Sequence, residues 1–318
     1  MRLRDLTTTL PSPSEHDEHD FCQFSWLMKY RQGVERIESR MGLLVGKALD
    51  AALNLHYNSA PVDQAVEKYS ARMRLFRKEN LDVEEEEWQT WENQGLALTQ
   101  LYVSTVPRLD SDWAEIVAIQ PKLEWPAPMR PDLVLRKADG ALAVLEGKME
   151  SPFADLDYEN LKYELAWQPL LYPIGVSKWM KEPVQEVIME YRVRGAPAKG
   201  KYKVKEPKIV RHSIPVEGWK ANMWLASAWK ANLEMRDLAA FAVEPDRALN
   251  DIPRRTRNCI QKYGHKTFPC SFFLACSVNM HPLEMPDLYH IPKWKQEVKA
   301  DGTHLQEATG SCRETRET

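Results

Sequence analysis

The segment Met129-Arg-Pro-Asp132-Leu-Val-Leu-Arg-Lys137-Ala-Asp-Gly140-Ala-Leu-Ala-Val-Leu-Glu146-Gly-Lys148 admits few folds. Two apolar runs of strand length flank a turn-forming stretch that ends in glycine, the pattern of a β-hairpin. An acid heads the first run, and an acid and a lysine two residues apart close the second. Residues two apart on a strand face the same way, so Glu146 and Lys148 share a face and Gly147 lies opposite.

Whether Asp132 joins them depends on the turn. A two-residue Asp139-Gly140 turn would pair Leu133 with Glu146 and send Asp132 to the wrong side. A three-residue Ala138-Asp139-Gly140 loop, with Gly140 left-handed, pairs Asp132 with Glu146 instead. Glycine stands where that loop needs it, so the three-residue register is expected. Side-by-side carboxylates repel unless a cation neutralises them. Mg²⁺ favours carboxylate oxygen, water and phosphate, and the Gly147 carbonyl is a further candidate ligand. Lys148 would orient the attacking water, help to deprotonate it, or steady charge on phosphorus. A surface hairpin with solvated charges remains the plain alternative, because an E-x-K pair is common by chance.

Composition sets the frame for this hairpin. The chain has 318 residues, 43% hydrophobic and 28% charged, with a formal net charge of -3. That is ordinary globular composition with room for a sizeable core. The balance argues against a protein that coats nucleic acid by bulk charge, though not against a local basic groove. No apolar run approaches the ~20 residues of a membrane span. The N-terminal stretch lacks an apolar signal region, so a cytoplasmic protein with no membrane contact is expected. The five cysteines are then free or metal-bound rather than paired.

Along the chain, residues 1–20 read as irregular. Helical spacing runs over Phe21–Tyr30, Gly42–Tyr57, Val62–Leu101, Asp157–Tyr172 and 215–244. Strand alternation runs over Trp113–Trp125, Val184–Arg194 and Lys201–Arg211, and 250–282 looks irregular. One mixed α/β domain is expected over 21–285, with a helical insertion at about 60–105, a basic hairpin at 184–211 and a flexible tail at 286–318.

Pro131-Asp132 followed by Glu146-Gly147-Lys148 resembles the PD-(D/E)XK nuclease superfamily. Gln168-Pro-Leu-Leu-Tyr172 is similar to the Q-x-x-x-Y element of its RecB-like and phage-type exonuclease branch. Gln168 and Tyr172 are four apart and share a helix face. Pro169 between them implies a kink or a helix start. Gly46-Lys-Ala-Leu-Asp50-Ala-Ala-Leu53 matches the branch's G-x-x-x-H-x-x-L helix, with Asp50 where histidine is usual.

The resemblance implies a restriction-endonuclease-like core with a central mixed β-sheet flanked by helices. It also implies a catalytic set of Asp132, Glu146, Lys148, Gln168 and Tyr172. Asp50, Asp132, Glu146 and Gly147 would hold Mg²⁺ or Mn²⁺. Glu124, on the preceding segment, is a weaker candidate for the same metal.

Asn258-Cys259 through Pro269-Cys270 to Ala275-Cys276 resembles the C-terminal cysteine box of iron–sulfur members of the branch, and Cys22 stands where their upstream cysteine lies. A 4Fe–4S cluster, or structural zinc, is what that likeness implies for the box at 259–276. The ten-residue interval between Cys259 and Cys270 departs from the usual spacing, and buried structural thiols are the alternative.

Arg192, Arg194, Lys199, Lys201 and Lys203 form a basic stretch suited to following a phosphate backbone, and Arg254, Arg255 and Arg257 add charge beside Cys259. The expected function is metal-dependent cleavage of DNA, on single strands or duplex ends, in replication, recombination or repair, alongside a partner protein of such a pathway. The alternative is a catalytically weak or inactive DNA-binding accessory protein of the same fold.

Overall fold

Leu142-Ala-Val-Leu145 is apolar at every position, the mark of a strand covered on both faces, and the fold is built around it. A computed structural model describes residues 10–31, 33–36, 41–79, 83–164, 166–198 and 203–241, together with 260–263, 266–269, 282, 285 and 289–290. In chain order the elements begin with α1 (Pro13–Phe21) and α2 (Gln23–Trp26), followed by a π-helical turn at Leu27–Arg31. Next come β1 (Glu35–Arg36), α3 (Met41–Tyr57), α4 (Val62–Glu79) and α5 (Glu85–Thr105). The central part holds β2 (Trp113–Ile119), β3 (Leu133–Lys137), β4 (Leu142–Glu150), α6 (Leu156–Glu164), α7 (Trp167–Met180), β5 (Val184–Val193) and β6 (Lys208–Pro215). Last are α8 (Gly218–Phe241), β7 (Ile260–Tyr263), β8 (Lys266–Pro269) and β9 (Tyr289–His290).

The chain divides into two compact units, where the sequence suggested one domain. The larger comprises Thr7–Asp17 and Ser39–Leu233 and holds a five-stranded sheet in the order β2-β3-β4-β5-β6. Only β4 and β5 run parallel; the other neighbours are antiparallel. The parallel pair is joined by α6 and α7, the helical crossover that such pairs require. This is a mixed, helix-flanked sheet, as the resemblance implied.

Alternation along the strands assigns the two faces. Leu133, Leu135, Ala143, Leu145 and Ile188 pack against Leu49, Leu53 and Tyr57 of α3 and Leu98 and Tyr102 of α5. On the opposite face Val134, Leu142 and Val144 pack against Trp167, Leu171, Tyr172 and Val176 of α7 and Ala228 of α8.

The hairpin has the three-residue loop. Lys137 and Ala141 close it, Gly140 sits at φ +88°, and Leu133 pairs with Leu145. The long helical stretch after Val62 is two helices, α4 and α5, and the one read from Asp157 to Tyr172 is also two. The second strand of the basic hairpin is Lys208–Pro215, downstream of the expected 201–211.

The smaller unit comprises Met1–Leu6, Glu18–Glu38 and Glu234–Thr318. Its described core gathers Cys22, Phe24, Trp26, Leu27, Met28, Val34, Met235 and Tyr289, and β1 pairs antiparallel with β9. Residues 260–269, expected to be irregular, contain the β7–β8 hairpin. No helix among the described residues is long and apolar enough to cross a membrane.

Candidate active site

The β3–β4 ladder ends at Leu133 and Leu145, so Asp132 and Glu146 would be its next pair. There the strands part. The Gly147 N–H, freed from the ladder, donates instead to Asp132 Oδ2 at 2.9 Å. Asp132 thus stands at the split, within reach of both faces of the sheet. The register placed it beside the later acid–lysine pair, as the sequence led one to expect.

On the α7 face, Lys148 Nζ donates to Glu146 Oε1 at 2.8 Å and to Gln168 Oε1. Gln168 Nε2 donates to Tyr172 Oη at 3.3 Å, so the four-residue spacing of the helix carries one hydrogen-bonded row into the site. Pro169 causes no break because α7 begins at Trp167. The proline falls in the first turn, where its missing N–H has no helical partner to lose. Burial and the Glu146 charge push Tyr172 well above the ordinary tyrosine range, so its hydroxyl keeps its proton.

On the α3 face the principal group is Arg192. The sequence suggested an exposed basic hairpin here, but Arg192 is only 3% exposed. Its Nε meets Glu190 at 3.0 Å, NH1 meets Asp50 Oδ1 at 3.0 Å, and NH2 lies 3.5 Å from Asp132 Oδ2. Glu190 is fully buried and also binds Arg211 Nε at 3.0 Å and the Tyr102 hydroxyl at 2.7 Å. Arg211 in turn pairs with Asp110. The reason for the inward turn is topological. β5 lies between β4 and β6, so both its faces are covered, and Glu190, Arg192 and Arg194 alternate with the apolar Met189, Tyr191 and Val193. A polar row on a covered face must find partners inside.

Asp50 in α3, Asp132 just before β3 and Glu146 in β4 therefore approach the split strands, near enough for one charge to shift another. Each spends one oxygen on the protein: Asp50 Oδ1 on Arg192, Asp132 Oδ2 on Gly147 and Arg192, and Glu146 Oε1 on Lys148. Each keeps the other. Glu146 Oε2 is buried with no hydrogen-bond partner among the described residues. An orphaned carboxylate oxygen is costly unless a cation or proton meets it. Burial, with the Asp132 charge added, pushes Glu146 up to about 7 against the pull of Lys148. Burial and Asp132 also raise Asp50, whose side chain is 44% exposed. A carboxylate oxygen of this kind is the ligand type that a hard divalent cation takes. As the side chains lie, no group of three or more His, Cys, Asp or Glu among the described residues is gathered closely enough to hold one, because Arg192 stands between Asp50 and Asp132.

The remaining expected site residues are placed less centrally. Glu124 is exposed and is not among the charges that shift Asp50 or Glu146. Arg194 is buried, against the exposed position expected of it, while Lys203 is exposed. Lys199 and Lys201 lie outside the described residues, as do Cys259, Cys270, Cys276 and Arg254, Arg255 and Arg257. Cys22 is buried among apolar side chains. Glu190 and Asp110 stand out in no sequence motif, and Arg211 reads from the sequence only as a charge of the basic hairpin; the alternation Glu190-x-Arg192-x-Arg194 within an apolar strand was the available signal for Glu190.

Among curated proteins, none matches the sequence. A solved structure from Eubacterium rectale, of a protein provisionally named an exonuclease and determined at 2.19 Å, is similar at 14% identity over 88% of this chain and 94% of that one, with a TM-score of 0.45. The family model of the PD-(D/E)XK nuclease superfamily matches residues 11–269, which include the whole five-stranded sheet and each residue of the split-strand site. The chain therefore belongs to the PD-(D/E)XK nuclease superfamily.

Proposed function

We propose that the protein is a divalent-cation-dependent deoxyribonuclease that hydrolyses phosphodiester bonds on single strands or at duplex ends. The observation that supports this reading best is a lysine fixed by Glu146 and Gln168 beside Asp132, with Glu146 Oε2 buried and unpartnered among the described residues. Asp132 and Glu146, with the Gly147 carbonyl, would hold Mg²⁺ or Mn²⁺, and Asp50 would lend a further oxygen. Bound there, the cation would lower the pKa of a water and polarise the phosphate.

The chain's own groups supply the rest. An ammonium has three N–H donors. Lys148 spends two of them, on Glu146 and Gln168, and the third can orient the attacking water or steady a phosphoryl oxygen. Gln168 sets the direction of that lysine from α7. Tyr172, held neutral, supports the Gln168 amide. Hydrolysis adds the water oxygen to phosphorus and expels a sugar oxygen, which leaves with a proton.

One observation favours a second reading. Arg192 already neutralises Asp50 and Asp132, as an internal cation would in a catalytically weak or inactive DNA-binding member of the fold. Incubation of labelled single- and double-stranded DNA with Mg²⁺ or Mn²⁺, and with EDTA as control, separates the two. Products that require the metal support the nuclease; binding without product supports the accessory protein.

A further inference from the structure

A groove of about 400 Å³ opens between α3 and α5 and reaches Asp50 at the candidate active site. Its volume lies in the range of pockets that take a small organic ligand (~300–1,000 Å³). We infer that this groove, lined by Gly42, Gly46, Lys47, Trp91 and Arg194, holds the nucleotide adjoining the scissile bond, with its phosphate against Arg194. The inference rests on the nuclease reading and deepens it by naming where the substrate strand lies.

The first support is Arg194. It is 9% exposed, yet no carboxylate among the described residues pairs with it. Arg192 and Arg211, by contrast, each meet acids. The Arg194 guanidinium lies 3.7 Å above the Trp91 ring and donates through NH1 to Gln94 at 2.6 Å, while its Nε has no partner among the described residues. Burial pulls Arg194 down to about 10. The acid whose charge reaches it, Glu150, is itself pushed up to about 7 by burial and is a poor counter-ion near neutrality. A buried cation without an anion is expensive, and an arriving phosphate would repay that cost.

The second support is α3 itself. Gly42 and Gly46 lie four apart and share the helix face that lines the groove. Glycine inside a helix costs stability relative to alanine. At Gly95 the fold demands it, because a Cβ would sit 2.0 Å from Tyr69 Oη. At Gly46 a Cβ would meet nothing within 4 Å, and at Gly42 only ordinary contact with Trp91. Among the described residues no packing calls for glycine at Gly46, inside the helix, but a ligand that must approach the helix backbone closely would; Gly42, in the first turn, leaves the same face open. Lys47 at the exposed rim adds a second positive charge.

The test compares wild type, Gly46→Leu and Arg194→Gln for binding of a fluorescent single-stranded oligothymidylate in EDTA, with cleavage in Mn²⁺ measured alongside. Leucine fills the groove while favouring the helix, so Gly46→Leu should melt no lower than wild type yet bind at least about tenfold more weakly. Arg194→Gln should weaken binding and reduce the slope of log affinity against log salt by about 0.7, the value of one lost phosphate contact on a single strand. Should Arg194→Gln fail to fold, Gly46→Leu decides. A folded Gly46→Leu protein that binds and cleaves like wild type overturns the groove and leaves the nuclease reading standing. A wild type that neither binds nor cleaves DNA overturns both.

Discussion

The guanidinium of Arg192 occupies the space beneath Gly147: a Cβ on that glycine would lie 2.1 Å from the arginine Cζ and 2.2 Å from NH2. The smallest residue of the Glu146-Gly147-Lys148 strand thus makes room for the cation that ties Asp50 to Asp132. Glycine here serves space rather than backbone conformation, because any larger residue obliges the guanidinium to shift.

Gly147→Ala should expel Arg192 and release both aspartates. Adding volume at a packed site and breaking a buried ion pair should together destabilise the protein by about 2 kcal/mol or more. Urea denaturation gives the loss, and metal-dependent cleavage should fall with it. A variant of wild-type stability would mean that Arg192 has another place to go.

Glu190→Gln addresses the support beneath that arginine. Glu190 is fully buried and bridges Arg192 to Arg211. Glutamine leaves two cations facing one neutral amide. Removing one partner of a buried ionic set costs about 3–5 kcal/mol, read as a lower urea midpoint. Glu186→Gln, in a partly exposed pair with Lys137, should cost less than about 1 kcal/mol and serves as the control.

The carboxylate oxygens make metal stabilisation pH-dependent. Glu146 is raised from 4.5 to about 7 in the folded metal-free protein. Between those values the folded state binds more protons than the unfolded chain, so metal-free stability falls as pH rises through that window. A divalent cation competes with the same proton. The gain in melting temperature on adding Mg²⁺ or Mn²⁺ should therefore be small near pH 5 and grow towards pH 8. A gain independent of pH would place the cation elsewhere.

Much of this site was legible before any coordinates. The register of the β3–β4 hairpin followed from Gly140 and the length of its loop, and it put Asp132 beside Glu146. The Gln168–Tyr172 row followed from helical spacing, and Pro169 implied a kink or a start, of which the start is what α7 shows. Arg192 was not legible in the same way. An arginine beside apolar residues on an alternating strand reads as solvent-facing; only the position of β5 between β4 and β6 buries that face. The polar row then turns inward, to carboxylates 60 and 142 residues away. Local pattern carries no information about such distant partners. The split of the long helical stretch into α4 and α5 was hidden because apolar spacing resumes after Glu85.

In the proposed reaction Lys148, held by Glu146 and Gln168, acts on a phosphodiester beside a carboxylate-bound cation. The most direct test is digestion of end-labelled DNA in Mn²⁺ by wild type and Lys148→Ala, with melting curves to confirm that the variant folds. Wild type should give metal-dependent product and none in EDTA, and folded Lys148→Ala should lose about 100-fold or more, the scale of removing one transition-state donor. Undiminished cleavage by Lys148→Ala would contradict that role.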